Sequence, residues 1–426
     1  MKEKADDREQ GESRLVSSVP FFYGWIVLTV AVIGLIMTSP GQTYAVSIFI
    51  EHLIEDLGLS RAMVSSLYAI GTLGGSLALP LMGRSIDRYG VRRMGTVVSV
   101  VFGVVCVYMG FVQNAVMLGI GFVGLRMLGQ GSLYLVCLNA INRWWVRRRG
   151  EAIGISGLIT SVIAMGLVPG LIDGLIPEFG WRSTYMILGA VLLVVMAPLA
   201  LFLIRDQPED HGLNPDGQPL ASVAGRSTNR EEVHWTLKEA ARTTTFWLVM
   251  LGSSSSAMLS TGLMFHMVGI VKDHGMSATV AAWLYLPLSV TTAVVTLASG
   301  MLLERFSIAR MMGLSQFLLA VSLLMAPYLQ GFTVAVVYGL VLGASGGLSR
   351  TIGGVAWAHF YGRQHLGSIT GMTTGIGIAS SALGPMLFGV ARDIAGSYAT
   401  VLMISAVLPL FLGIVSPWIR HPEKGK

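Results

Sequence analysis

The stretch GRSIDRYGVRR, residues 83–93, lies between two long apolar runs and carries one acid and four arginines. It recurs 217 positions later as GMLLERFSIAR, residues 300–310, which keeps the first glycine, an acid, the arginine after it and the final arginine. The same offset carries GEAIG at 150–154 onto GSITG at 367–371. One offset that holds at separate places indicates that the chain is a duplication of two halves.

The composition of the chain is that of a protein embedded in lipid. Its 426 residues are 53% hydrophobic and 12% charged, and their mean hydropathy is +0.67, whereas soluble domains carry about 25% charged residues. A membrane helix needs about 20 mostly apolar residues, and helices satisfy their own backbone in lipid. We therefore predict an all-α polytopic membrane protein with twelve transmembrane helices in two pseudo-symmetric six-helix bundles. The predicted spans lie near 21–42, 62–82, 95–113, 116–141, 151–173, 183–204, 245–270, 279–303, 309–328, 333–357, 367–390 and 397–419.

A hydrophilic segment rich in Gly, Pro and Asp divides these spans six and six, and it reads as a linker. A parallel repeat of two six-helix halves is typical of transporters with a midplane site and alternating access. The predicted domains are a tail at 1–20, a first bundle at 21–204, a linker at 205–244, a second bundle at 245–419 and a tail at 420–426.

Basic residues alternate between the connecting segments and predict the orientation of the chain. One set of loops is rich in arginine, so we expect these loops, the linker and both termini to be cytoplasmic, in a plasma or inner membrane. The net charge of +6 is explained in this way, without a nucleic acid partner. The first twenty residues do not resemble a signal peptide, and we expect the apolar run from Phe21 to be retained. The arginines expected inside include Arg84, Arg88, Arg92, Arg93, Arg143, Arg147, Arg148, Arg149, Arg305, Arg310 and Arg363.

The loop at 83–93 resembles the signature loop of the major facilitator superfamily, and the spans, the central linker and the weaker copy at 300–310 fit the same family. The resemblance implies that Asp87 faces the N-terminal end of the helix beginning near Leu366, in the other half. There it would stabilise one closed state electrostatically, while glycines allow close helix approach. The second copy has Ser307 and Ala309 in place of Gly90 and Arg92, so we expect its gate to be weaker. The predicted conformational gate comprises Gly83, Asp87, Arg88, Gly90, Arg92, Arg93, Glu304 and Arg305.

Four further motifs resemble the monocarboxylate-porter and oxalate/formate-antiporter group. They are Tyr23-Gly24-Trp25, the run NRWWVRRRG at 142–150, Gly180-Trp181-Arg182 and the run DQPED at 206–210. That group moves small organic anions, often with a proton or in exchange, so the resemblance implies such a substrate. The chain departs from the group in its eighth and eleventh spans, which lack the charged residues that bind the anion there. The specific substrate is therefore not implied.

Three titratable residues are predicted inside the membrane: Arg126 in the fourth span, Arg350 in the tenth and His266 in the seventh. Such groups are costly in lipid and are functional candidates. For Arg126 a structural role is an equal alternative, and for Arg350 the alternative is a side chain reaching the interface. His266 is a candidate for proton coupling or for helix packing. No carboxylate is predicted at midplane depth, so an incoming anion would supply the partner that both arginines lack.

Polar residues at compatible depths complete the predicted substrate site, although each is also suited to bonding between helices. No nucleotide-binding loop and no metal-ligand cluster is present, so we expect no cofactor, no metal and no enzyme activity. The expected partners are a small organic anion, with a proton as a second candidate, and the lipid bilayer, and the expected working form is a monomer. The alternative is a proton-coupled efflux pump for drugs or amphipathic metabolites on the same fold. The additional site candidates are Gln42, Thr43, Tyr44, Tyr68, Gln130 and Asn139.

Overall fold

The computed structural model describes residue 16 and residues 19–217, 234–276, 278–303, 305–395 and 397–423. Within these ranges the chain is helical and forms no β-strand. Among the described residues, ten continuous helices are long and apolar enough to cross a membrane. Two of them reverse direction, at Gly90 (φ 84°) and at Gly180 (φ 77°). Each of these two crosses twice, so the ten helices make the twelve passages predicted from the sequence.

The twelve passages follow one another with short connections, apart from the linker after the sixth. They are α1, Gly24–Leu57; α2 and α3, the arms of Arg61–Met109 before and after Gly90; α4, Ala115–Trp144; α5 and α6, the arms of Arg149–Leu203 before and after Gly180; α7, Thr244–Asp273; α8, Ala278–Leu302; α9, Ile308–Met325; α10, Gly331–Tyr361; α11, Leu366–Ala395; and α12, Ala399–Val415.

The first passage is longer than its predicted span. The helix breaks at the 3₁₀ turn Ser39–Gly41 and then continues as Thr43–Leu57. This second part carries several acidic residues on an otherwise apolar helix. Because they lower the local hydropathy, the span predicted from hydropathy ends near residue 42. Gly58 closes the helix in the left-handed conformation (φ 61°), which favours glycine.

The reversal at Gly90 shows why the signature loop needs a glycine there. The φ of 84° is strained for residues with a side chain. In addition, a Cβ at this position would overlap the carboxylate of Asp206, which accepts a hydrogen bond from the backbone N–H of Arg92 at 3.0 Å. The turn therefore ties the second-to-third connection to the start of the linker.

The two bundles, α1–α6 and α7–α12, meet along two equivalent helix crossings. In one, Gly83 of α2 packs on the backbone of Gly367 in α11. In the other, Gly300 of α8 packs on the backbone of Gly150 in α5. A methyl group at any of the four would overlap the facing carbonyl oxygen. The 217-residue offset relates Gly83 to Gly300 and Gly150 to Gly367. The repeat found in the sequence therefore corresponds to the pseudo-symmetry of the interface between the bundles.

The structure contains π-helical segments that the sequence patterns did not predict. In the described residues they are Arg126–Leu133, Ser161–Leu167 and Leu192–Met196. The first begins with the intramembrane arginine of α4, and the second lies in α5. π-Helical segments are rare overall, but those that do occur are often found at functional sites. The exact domain limits at residues 21, 204, 245 and 419 remain predictions.

Candidate functional site

A cavity of about 1010 Å³ lies between the two bundles. Helices α1, α4 and α5 line it from the first bundle, and α7, α8, α9, α10 and α11 line it from the second. Leu138 and Trp357 lie in its wall toward one end of the molecule. We call this the arginine-rich end, because it carries the loop at 83–93 together with Arg143, Arg149 and Arg363.

At the arginine-rich end the bundles are joined by Asp87. Its carboxylate accepts hydrogen bonds from the backbone N–H of Gly367 at 2.7 Å and of Ser368 at 2.6 Å, and from the Ser368 hydroxyl at 2.5 Å. These groups form the N-terminus of α11, where the helix dipole favours an anion. The Arg143 guanidinium lies 3.7 Å from the same carboxylate. The helix that Asp87 caps is the one implied by the resemblance.

The other residues of the predicted gate have different surroundings. Arg92 donates from Nε to the carbonyl oxygen of Leu201 at 2.7 Å, and Arg88 stacks on the ring of Tyr89 with its Cζ 5.2 Å from the ring centroid. Arg93 and Arg305 are exposed. Glu304 lies outside the described residues.

Three further hydrogen bonds close this end and are not signalled by any sequence motif. Asn142 donates to the carbonyl oxygen of Gly354 at 3.0 Å, and Arg363 donates to that of Arg143 at 2.7 Å. Asn139, predicted to bind substrate, is fully buried and donates to the Thr370 hydroxyl at 3.1 Å. Its side chain lies outside the cavity wall and joins α4 to α11.

Arg350 lies in the cavity wall on α10 and reaches across to the first bundle. Its Nη1 donates to the hydroxyl of Ser161 at 2.9 Å, and its Nη2 lies 3.8 Å from the sulfur of Met165. Both partners belong to the π-helical segment of α5. Arg350 therefore has one strong hydrogen bond, to a neutral group, and no ion pair among the described residues.

Arg126 is held far more completely, and all its partners belong to its own bundle. It is 4% exposed. Its Nε donates to the Thr72 hydroxyl at 2.9 Å, and its Nη1 donates to the carbonyl oxygen of Gly41 at 2.8 Å. The ring of Tyr68 lies under the guanidinium, 4.7 Å from Cζ to the ring centroid. The break in α1 at Ser39–Gly41 supplies the free carbonyl.

The remaining predicted site residues fall into two groups. Thr43 and Gln130 line the cavity beside Arg126. Gln42, Tyr44 and Tyr68 do not belong to its wall and bond to neighbouring side chains. Their partners are Thr38 for Gln42 at 3.1 Å, Ser39 for Tyr44 at 3.0 Å and Thr43 for Tyr68 at 2.8 Å.

His266 lies away from the cavity, between α7, α11 and the start of α12. Its Nε2 is 2.9 Å from the carbonyl oxygen of Pro385, and its Nδ1 is 2.9 Å from the Tyr398 hydroxyl. A carbonyl oxygen only accepts, so the hydrogen bond to it requires a proton on Nε2. Both ring nitrogens are therefore engaged in hydrogen bonds between helices.

The charge of the cavity is positive. Across the described residues, its wall contains Arg126 and Arg350 but no Asp, Glu, Lys or His. The ion pairs found in the same ranges lie elsewhere, for example Arg148 with Glu151 and Arg392 with Asp273. Nor do the described residues bring together three His, Cys, Asp or Glu side chains in a metal-binding cluster. The chemistry that the wall offers is anion binding.

Comparison with solved structures finds the same architecture. The human organic anion transporter MFSD10 superposes with a TM-score of 0.70 at 12% identity, over 92% of this chain and 99% of that one. The fucose:proton symporter FucP of E. coli gives 0.67 at 14% identity, over 93% and 98%. At such identities the likeness concerns the fold alone.

Curated relatives include the probable sulfoacetate transporter SauU of Cupriavidus necator, 25% identical over 197 residues, and the oxalate:formate antiporter of Oxalobacter formigenes, 26% identical over 188. These alignments cover 45% and 42% of this chain, and the chain spans less than half of each relative, 43% and 42%. Monocarboxylate transporter 2 of Rattus norvegicus is 23% identical over 414 residues, covering 92% of this chain and 82% of that one. The narrower resemblance to monocarboxylate and oxalate/formate transporters is thereby confirmed.

The family assignment rests on agreement between the interface and the sequence. The model of the Major Facilitator Superfamily matches residues 31–268 and again 249–426. The two matches overlap at residues 249–268, within α7, and together they cover both of the halves that the 217-residue offset relates and that meet at the glycine crossings. The chain therefore belongs to the Major Facilitator Superfamily of membrane transporters.

Proposed function

We propose that the protein is a secondary transporter that moves a small organic anion, a mono- or dicarboxylate, across the plasma or inner membrane by alternating access. One observation carries the proposal: Arg126 and Arg350 face one cavity from opposite bundles, and no carboxylate in its described wall neutralises them. The relatives whose names specify sulfoacetate, oxalate and monocarboxylates support the same class of substrate.

The physical argument concerns the cost of an uncompensated charge. An unpaired buried charge is unfavourable, and an anion entering the cavity would supply the missing partner. Arginine suits this task because its planar guanidinium binds a carboxylate through two parallel hydrogen bonds. Arg350 is the better placed of the two, since only the neutral Ser161 hydroxyl holds it strongly.

The orientation of the protein in the membrane decides which side of the cavity is closed. We assign the arginine-rich end to the cytoplasm by the positive-inside rule, with both termini on that side. The contacts of Asp87, Asn142 and Arg363 then close the cytoplasmic side. The conformation is one in which substrate would enter from outside.

Exchange of anions is the favoured mode of coupling. The described wall contains no Asp, Glu, Lys or His that could carry a proton through the cavity. His266, the sequence-based candidate for a proton carrier, lies outside the wall and bonds through both ring nitrogens. An empty cavity with two uncompensated cations is costly to occlude, so the loaded carrier would cross more readily than the empty one.

The alternative function is proton-coupled efflux of drugs or amphipathic metabolites, and for cationic compounds of this kind the charge of the site gives no support. Such a pump would need an acid in the cavity, and the described part of the wall has none. Methionines 165, 250 and 264 do line it, and they would equally contact the carbon skeleton of an organic anion.

The test is counterflow in proteoliposomes loaded with unlabelled carboxylate. Labelled mono- and dicarboxylates, a neutral sugar and an organic cation are offered outside to the wild type, Arg350→Ala, Arg350→Lys and the control Arg420→Ala, an exposed arginine outside the cavity. We expect anions alone to accumulate. Removing one member of a buried charge pair costs about 2–5 kcal/mol, so Arg350→Ala should lower uptake at least 30-fold, with partial retention in Arg350→Lys.

Cation uptake without anion uptake, or undiminished anion uptake by Arg350→Ala, would overturn the proposal. The control variant separates these outcomes from a general loss of charge at the cytoplasmic end.

A further inference from the structure

The second bundle presents an unusual density of hydroxyl groups to the cavity. Eleven serine and threonine residues from α7, α8, α10 and α11 line it. Six of them take part in hydrogen bonds with backbone carbonyls or with Gln316, as Thr373 does with the carbonyl oxygen of Ile369 at 3.1 Å. The other five make no hydrogen bond to any described residue. They are Ser253, Thr261, Ser289, Ser349 and Thr374.

These five hydroxyls, which we call the hydroxyl wall, are accessible from the cavity. None of their oxygens belongs to the buried polar atoms that lack a partner, unlike the oxygen of the neighbouring Ser254. Ser349 and Arg350 both line the cavity from α10, so the hydroxyl wall and the guanidinium contact the same space. From the first bundle, α5 contributes the apolar side chains of Leu158, Val162 and Met165 to the wall, whereas α1 and α4 contribute polar ones such as Thr43 and Gln130.

An unbonded hydroxyl in a cavity is satisfied either by water or by a ligand. A ligand that carries hydroxyl groups replaces the water without losing hydrogen bonds. An apolar ligand strips the water away and leaves the hydroxyls unpaired, which weakens its binding. Sites built to hydrogen-bond a substrate hydroxyl reject analogues that lack it for this reason.

The size of the cavity agrees with a ligand larger than a two-carbon acid. Its volume of about 1010 Å³ lies at the upper end of the roughly 300–1,000 Å³ typical of ligand sites. A cavity of this size has room for a chain of several carbons beside Arg350.

We propose that the transported anion is a polyhydroxylated carboxylate. Its carboxylate binds Arg350 and its hydroxyl groups bind the hydroxyl wall, while the apolar side chains of α5 cover its carbon chain. The inference rests on the proposed function, since it assigns the carboxylate to Arg350, and it narrows the substrate class from organic anions in general.

The experiment compares three six-carbon probes in the proteoliposome assay. Gluconate carries a carboxylate and hydroxyls, hexanoate carries the carboxylate alone, and sorbitol carries hydroxyls alone. The labelled substrate is gluconate, and the unlabelled probes compete with its uptake. We expect unlabelled gluconate to compete at least tenfold better than hexanoate, and we expect sorbitol not to compete. Equal competition by hexanoate would overturn this inference and leave the anion transporter standing. Transport of sorbitol that persists in Arg350→Ala would overturn the proposed function as well.

A matched pair of variants tests the wall itself. Ser253→Ala combined with Thr374→Val removes two wall hydroxyls on α7 and α11, and should weaken gluconate competition about 3- to 10-fold per hydroxyl while leaving hexanoate competition unchanged. Ser254→Ala, next to Ser253 but outside the cavity wall, should change neither. Unchanged hexanoate binding shows that the double variant is folded. Undiminished gluconate competition in that variant would contradict the assignment.

Discussion

Arg126 and Arg350 are both intramembrane arginines in the wall of one cavity, yet they are held in opposite ways. Arg126 donates to Gly41 and Thr72 and stacks on Tyr68, all within the first bundle. Arg350 donates to Ser161, across the interface. When the bundles rock apart, the surroundings of Arg126 move with it, whereas Arg350 must exchange its partner. The difference suggests that Arg126 stabilises a bundle and that Arg350 is free to bind what enters between them.

The largest expected effect is on the free energy of unfolding, which should differ between the Arg126 and Arg350 variants. Arg126→Ala leaves the Gly41 carbonyl without its donor and removes hydrogen bonds of a charged group, each worth about 1.5–3 kcal/mol. We expect a loss of at least about 3 kcal/mol in the free energy of unfolding. Arg350→Ala, which removes a poorly compensated charge, should change it by less than about 1 kcal/mol. Thermal unfolding of both purified variants measures this, and equal losses would remove the distinction between the two arginines.

The next effect concerns the closed end that brings Arg350 to Ser161. Asp87→Asn keeps the shape of the side chain but removes the negative charge at the N-terminus of α11, a contribution of about 0.3–2 kcal/mol. We expect the closed state to lose up to about 30-fold in relative population. Labelling of a cysteine introduced by Leu138→Cys, in the cavity wall near that end, should accelerate accordingly when reagent is added from the arginine-rich side.

The two native cysteines are buried and should remain unlabelled in this assay. Glu151→Gln, which alters an ion pair within α5 and its preceding turn, is the control. Equal labelling rates with and without Asp87→Asn would mean that this carboxylate does not hold the closed state.

A smaller effect tests whether Arg350 exchanges Ser161 for the substrate. Ser161→Ala removes the hydrogen bond that an incoming carboxylate must displace. A hydrogen bond of a charged group contributes about 1.5–3 kcal/mol, and because this one faces an open cavity we take the lower bound, so carboxylate binding should tighten about 10-fold. Calorimetric titration of the purified variant measures the change. Tenfold weaker binding would instead show that Ser161 holds the substrate or orients Arg350 toward it.

The smallest expected effect is that of pH. Since the described wall lacks Asp, Glu and His, anion exchange at equal internal and external pH should vary less than about twofold between pH 6 and 8. His266→Gln should not alter this profile, because His266 packs against Pro385 and Tyr398 outside the cavity. Uptake that requires an inward proton gradient, and loses that requirement in His266→Gln, would restore proton symport through this residue.

Sequence reasoning reached the elements that are encoded by local pattern or by the repeat. The number of passages, the reversal between the second and third spans and the contact of Asp87 with the helix that starts at Leu366 follow from hydropathy, the repeat and family resemblance. The identity of the partners does not. Thr72 and Gly41 reach Arg126 only because α1 breaks and α2 packs on α4, and the sequence did not signal the π-helical segment that turns Ser161 toward Arg350. Asn139 has the depth of a ligand, but its contact with Thr370 depends on the closed interface.

The central claim is that Arg350 binds the transported anion, and equilibrium binding tests it most directly. Labelled gluconate, or the carboxylate that counterflow identifies, is titrated onto purified wild type, Arg350→Ala and Arg420→Ala, with the folded fraction of each measured alongside. The account predicts that binding weakens at least 30-fold in Arg350→Ala and is unchanged in Arg420→Ala. Wild-type affinity in folded Arg350→Ala would contradict it.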